Sequence, residues 1–227
     1  LRDGMGECKI CDASISVKMG NHRPSHRIDN YDGRLFGCQP LWFHLARSTN
    51  TAAVRLAGLV GSDRIVDFAR RLGLSSEIEA YPTTAIGAEE TTLLHLAAAY
   101  AVFPNGGIYI TPRIVREVVE KDGSVKTYTP DRREALTPSL AREIAELLRH
   151  TVLYAHGTAR ALNEPGYPVP VAGKTGTTND YRDAQFIGFT DTEEGITVAG
   201  WVGLDDNTPL ASDRRMALVK NEKQWCR

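Results

Sequence analysis

Lys174, Thr175, Gly176 and Thr177 stand at the end of a short apolar run over 169–172, and a second apolar run over 184–189 follows within a few residues. That layout suits a strand presenting an ammonium and a hydroxyl at its end, with glycine leaving room for a ligand backbone. An ammonium beside a hydroxyl matches a carboxylate: one supplies charge, the other a directional hydrogen bond. A second chemical pair, Ser48 and Asn50 in Ser48-Thr49-Asn50, lies between two apolar helical stretches at 41–46 and 52–59. Ser and Asn compete with backbone hydrogen bonding and favour caps and turns, so a helix junction carrying a hydroxyl and an amide is expected there. Taken singly, Ser48 and Asn50 read as caps and Lys174 as a solvated edge-strand lysine.

The elements that must position these groups follow from apolar periods and turn residues. Residues 41–59 give a helix pair around Ser48 and Asn50. Ser62 reads as the N-cap of a helix with Ile65, Phe68, Ala69 and Leu72 on one face, ended by Gly73. Residues 81–90 read as a loop. Thr91 or Thr92 opens an apolar helix over 93–103, stopped by Pro104-Asn105-Gly106-Gly107. Asp122-Gly123 between 114–120 and 124–128 signals a hairpin. Thr137-Pro138 reads as a cap followed by proline at the first helical position, and Leu140, Ile144, Leu147, Leu148 and Thr151 share a face of the helix that follows. Strand-like segments close the pattern at 169–177, 184–190 and 196–204. Helices first and strands last, with short turns, predict an α+β fold with an antiparallel sheet.

The 227 residues fit one domain, with 42% apolar and 24% charged side chains. The formal charge, 27 − 28 = −1, gives no reason to expect nucleic acid or an anionic membrane as partner. No apolar run approaches the roughly 20 residues of a membrane-crossing helix. Cys8 and Cys11 with His22 and His26 fall short of a zinc finger: ten residues separate Cys11 from His22, and the aromatic and Leu core positions are missing. No metal and no cofactor are expected. Disulfide pairing among Cys8, Cys11, Cys38 and Cys226 does not follow from spacing. No helical or strand period is visible over 1–27, and the tail after Leu210 carries five Lys or Arg against two Asp or Glu. Both ends are expected to pack poorly.

In their flanks and order the two chemical motifs resemble the penicillin-recognising serine enzymes, whose signatures are S-x-x-K, S-x-N and K-T-G. The wider chain resembles the transpeptidase domain of class A penicillin-binding proteins. The likeness is carried by Asn30-Tyr31-Asp32-Gly33-Arg34, Ala85-Ile86-Gly87-Ala88-Glu89-Glu90, Ala97-Ala98-Ala99-Tyr100-Ala101-Val102-Phe103, Asn105-Gly106-Gly107, Gly157-Thr158-Ala159, Arg182-Asp183-Ala184 and Gly203-Leu204-Asp205-Asp206-Asn207. It covers residues 28–210 as a partial transpeptidase domain, with 1–27 and 211–227 unassigned. The fold it implies is an antiparallel sheet flanked by helices with a helical subdomain, here incomplete.

The resemblance implies acyl transfer through a serine ester. Ser48 is expected to relay a proton to the leaving amine, and Asn50 to hold the substrate amide. Lys174 is expected to supply the electrostatics. Thr175, Gly176 and Thr177 are expected to bind the substrate, the two hydroxyls on its carboxylate. Implied partners are peptidoglycan stem peptides and β-lactams, with a glycosyltransferase domain N-terminal in the full protein. The implied location is the extracytoplasmic face of the bacterial plasma membrane. Gln185 stands where the family often has Trp. The third signature is absent: three positions before the seven lysines stand Gly6, Ile15, Val118, Gly123, Val171, Ala217 and Lys220, none of them serine. The simplest expectation is a fragment of a longer peptidoglycan D,D-transpeptidase. The alternatives are an inactive remnant or carboxylate-binding module and, less favoured, a serine β-lactamase or sensor relative.

Overall fold

The structure, a computed structural model, describes residues 5–18, 24–74, 77–163, 169–190, 192 and 195–210. Its centre is a three-stranded antiparallel sheet in the order β11–β10–β9, built from β9 (Val171–Thr177), β10 (Asp183–Thr190) and β11 (Thr197–Gly203). β9 and β10 pair with Lys174 opposite Ile187 and Ala172 opposite Phe189. Period-two alternation therefore puts Ala172 and Lys174 on the same face as Ile187 and Phe189. Ala172, Ile187 and Phe189 are all buried.

Two helices cover that face. α4 (Leu93–Ala101) is capped by Thr92, whose hydroxyl accepts from the His95 N–H. α5 (Pro138–Leu153) is capped by Thr137, which accepts from the Leu140 N–H, with proline at the first turn as its sequence predicts. Together they enclose a core of Ala99, Val102, Phe103, Ala141 and Leu148 against Ala172 and Phe189. Three further helices precede these in the chain: α1 (Leu41–Arg47), α2 (Asn50–Val60) and α3 (Ser62–Arg71). Ser62 is the first helical residue of α3 rather than its cap; Gly61, at φ 97°, takes the cap position. The segment read as a loop at 81–90 contains a short 3-10 turn, Pro82–Ile86. The Asp122-Gly123 hairpin forms as β6 (Glu117–Val119) and β7 (Val125–Thr127).

The segment without visible period carries three strands. β1 (Lys9–Asp12) pairs with β4 (Gly37–Pro40), and β2 (Ile15–Lys18) pairs with β3 (Ser25–Ile28). Ile10 and Asp12 are buried, at 8% and 2% exposure, so the described part of 1–27 does not pack as poorly as its sequence suggests. In β1 the two buried positions are Ile10 and Asp12, so a carboxylate breaks the apolar alternation of a strand only four residues long. Cys11 and Cys38 lie opposite each other in the β1–β4 ladder and form a disulfide, which removes Cys11 from any zinc set. Cys8 is a free, exposed thiol. The remaining pair, β5 (Ile108–Ile110) with β8 (Arg132–Glu134), frames the far side of the core. The tail over 211–227 and His22 lie outside the described residues. Among the described residues, no helix is long and apolar enough to cross a membrane, and no three His, Cys, Asp or Glu are grouped to hold a metal ion.

Candidate active site

Ser48 and Lys174, 126 residues apart, meet: Lys174 Nζ donates to Ser48 Oγ at 2.6 Å and to the Thr175 carbonyl at 3.0 Å. Each side is held by specific local structure. Ser48 closes α1 in the left-handed region, φ 56° and ψ 48°, with its N–H directed to the Leu45 carbonyl at 3.2 Å. Serine adopts that conformation at a cost of roughly 1–2 kcal/mol, and it persists only where the surroundings determine it. Arg47, next to it, is fixed by an ion pair to Asp32 at 3.2 Å, a hydrogen bond to the His156 carbonyl at 3.3 Å and stacking over the Phe36 ring at 4.8 Å.

On the strand side, the register places Lys174 between Ala172 and Gly176 in the core-facing row. Its ammonium is drawn under the α1–α2 junction, away from water, and this burial lowers its pKa from 10.5 to about 8. The lysine remains mostly protonated at neutral pH and loses its charge as pH rises through 8. Thr151 of α5, fully buried, has its hydroxyl 2.8 Å from both the Leu148 and the Gly173 carbonyl oxygens and shares its one proton between them. That pins β9 one residue before Lys174. After α5 the chain turns at Gly157, where a Cβ would stand 2.2 Å from the Thr151 carbonyl oxygen, so only glycine fits. The next residue, Thr158, donates its N–H to the Ala46 carbonyl at 3.0 Å. α5 thus ties both halves of the site together. The sequence reading placed Thr151 on a helix face and Gly157 in a family motif; nothing in spacing marked either as a support for the site.

The other expected residues fall as follows. Asn50 opens α2, but its side-chain amide donates to the Asp29 carbonyl at 3.0 Å rather than turning to Lys174. Thr175 and Thr177 share the face of β9 opposite to Lys174 and Gly176. The space beside Gly176 is taken by Gln185, its register partner: a Cβ there would come within 2.6 Å of Gln185 Nε2. On that face the glycine makes room for a neighbouring side chain. Trp201, the partner of Gln185 on β11, keeps an indole in this row and donates Nε1–H to Asp183 at 2.9 Å.

A lysine on a sheet strand thus faces a serine at a helix junction, and these two residues belong to the K-T-G and S-x-N motifs. A sequence profile described as the penicillin binding protein transpeptidase domain matches residues 15–221, and the chain belongs to that family. Among curated proteins it is 37% identical over 223 residues to penicillin-binding protein 1A of Aquifex aeolicus, covering 96% of this chain and 30% of that protein. It is 33% identical over 204 residues to penicillin-binding protein 1A of Neisseria meningitidis, covering 86% of this chain and 25% of that one. The chain thus spans under a third of the length of these relatives. The crystal structure of penicillin-binding protein 1A from Haemophilus influenzae shares its fold, with a TM-score of 0.79 at 24% identity over 95% of this chain and 39% of that one. The imipenem acyl-enzyme of penicillin-binding protein A from M. tuberculosis has the same fold, with a TM-score of 0.74 at 22% identity over 96% of this chain and 56% of that one.

Proposed function

We propose that the Ser48–Lys174 cleft is one half of a D,D-transpeptidase site, in which an acyl group passes through a serine ester to cross-link peptidoglycan stem peptides. The observation that supports this reading is the 2.6 Å contact between Lys174 Nζ and Ser48 Oγ. With the ammonium donating to Ser48 Oγ, the Ser48 hydroxyl proton is free to point into the cleft. When a nucleophilic serine adds to the scissile amide carbonyl, the C–N bond breaks and the ester forms. The base beside the nucleophile takes its hydroxyl proton, the departing amine takes a proton from the Ser48 hydroxyl, and that base returns its proton to Ser48, so Lys174 keeps its charge throughout. β9 is an edge strand, so a substrate carboxylate lying along that edge is within reach of the Lys174 charge from one face and of the Thr175 and Thr177 hydroxyls from the other. Stem peptides and β-lactams, which share that carboxylate beside a reactive amide, are the proposed ligands. The proposed setting is the extracytoplasmic side of the plasma membrane, alongside a glycosyltransferase domain in the full protein.

The S-x-x-K serine and lysine are not among these 227 residues. That fact favours a second reading for the chain by itself: a carboxylate-binding module without turnover. Intact mass after incubation with excess penicillin tests both. We expect no covalent adduct on this chain. We expect a stoichiometric adduct once a segment bearing S-x-x-K is joined upstream, and its sharp loss in the joined protein with Lys174→Ala. An adduct on the present chain, mapped to any serine, overturns the division of the site. Full labelling of the joined Lys174→Ala protein overturns the role of the K-T-G strand.

A further inference from the structure

The Ser48-Thr49-Asn50 turn rests on a buried polar network that enters from β1. The Asp12 carboxylate accepts from Asn30 Nδ2 at 2.9 and 3.0 Å, from the Phe36 N–H at 2.8 Å and from the Thr51 hydroxyl. Asn30 turns its side-chain oxygen to the Thr51 N–H at 3.2 Å, in the first turn of α2. His44 of α1, 5% exposed, bridges the same two regions: Nε2 lies 2.9 Å from the Ile10 carbonyl and Nδ1 2.9 Å from Thr49 Oγ1. A carbonyl only accepts, which puts the proton on Nε2 and leaves Nδ1 of the neutral ring to accept from Thr49.

Thr49 and Thr51, 3% and 1% exposed, therefore both end in anchors that trace back to β1. The residues that alternate with them, Ser48 and Asn50, turn to the Lys174 ammonium and the Asp29 carbonyl. Directional bonds on two alternate residues fix the rotation of this segment about its own axis. Apolar packing would fill the space without fixing that rotation. The rotation is what matters for a left-handed serine whose hydroxyl must meet one particular ammonium.

We propose that Asp12 and His44 are positioning residues: acting through Thr51 and Thr49, they hold the Ser48 hydroxyl against Lys174. The proposal rests on the acyl-transfer reading for its significance, because that reading makes the Ser48–Lys174 contact the working part of the site.

The test uses the chain as it stands, labelled with 13C at lysine Cε, with the Lys174 signal assigned by its absence in Lys174→Arg. Its titration midpoint reports whether the turn still shields the ammonium. In Thr49→Val and Asp12→Asn we expect the midpoint to move from about 8 toward 10.5, by about tenfold or more in proton affinity. Thr49→Ser, which keeps the hydroxyl, restores it. Thr51→Val serves if Asp12→Asn does not fold. Val66→Ala, a buried α3 site outside the network, sets the baseline for loss of stability alone and should leave the midpoint in place. An unchanged midpoint in folded Thr49→Val overturns the proposal, and so does an equal shift in Val66→Ala. The titration needs no ligand, so a failure of the acyl-transfer reading, seen as an adduct in the wrong place, is distinguishable from a failure here.

Discussion

Two short antiparallel pairs, β1–β4 and β6–β7, have nearly the same size and opposite roles. In β6–β7 all six strand residues are exposed, Val119 at 64% and Val125 at 57%. The pair is held by its ladder and by a turn in which Asp122 accepts from the Ser124 N–H at 2.9 Å. In β1–β4 the ladder is no longer than four residues, yet it is closed by a disulfide and sends Ile10 and Asp12 sideways into the α1–α2 junction. A two-stranded ribbon is marginal on its own. What it contributes depends on the groups it sends out of the ladder, and only β1–β4 sends any toward the site.

The largest expected effect breaks the β1–β4 pair. The Cys11–Cys38 bridge spans a sequence separation of 27, and Cys38→Ser should cost about 3.5 kcal/mol by loop-closure entropy. A denaturant midpoint that scarcely moves would show that β1 is anchored without it. Next, Asp12→Ala leaves the Asn30, Thr51 and Phe36 donors without their acceptor and should cost about 2–3 kcal/mol. A loss below about 0.5 kcal/mol would place Asp12 with the residues of β6–β7.

Lys174 sharpens the contrast from the receiving side, since its burial is what β1–β4 indirectly maintains. Its folded pKa of about 8 lies below the ordinary 10.5, so between those values the unfolded chain binds more protons. The penalty is fully in force below pH 8, and stability rises as pH climbs from 8 to 10.5. Lys174→Met should remove that rise and increase Tm at pH 7, by ~2–4 °C for each kcal/mol released. A wild-type stability that is flat over this window argues against a buried ammonium. The smallest effect belongs to the other pair: Val119→Ser should stay within about 0.5 kcal/mol in chemical denaturation.

The helix junction at Ser48, the K-T-G strand and the Thr137-Pro138 cap were legible because each sits where an apolar period stops and a turn residue begins. The Asp122-Gly123 hairpin was legible for the same reason, with strands four and two residues shorter than the runs over 114–120 and 124–128. β1 was not, because it buries an aspartate where an apolar period calls for an aliphatic side chain, and β2 and β3 are each only four residues long, too short for a period to stand out. Asn50 was placed in the right turn, but its tie to Asp29 depends on a loop folded 21 residues earlier. The role of Thr151 was hidden for a similar reason: a threonine on a helix face gives no sign of the strand carbonyl it will meet.

The span between Ser48 and Lys174 also bears on the order of events as the chain collapses. The hairpin β9–β10 and the helix α5 close over short distances along the chain and can form early. Bringing residue 48 to residue 174 means closing a loop of more than a hundred residues, and such contacts are slow to gain and late to appear. The expectation is a refolding intermediate with the sheet protected from hydrogen exchange while Lys174 still titrates as an ordinary, hydrated lysine.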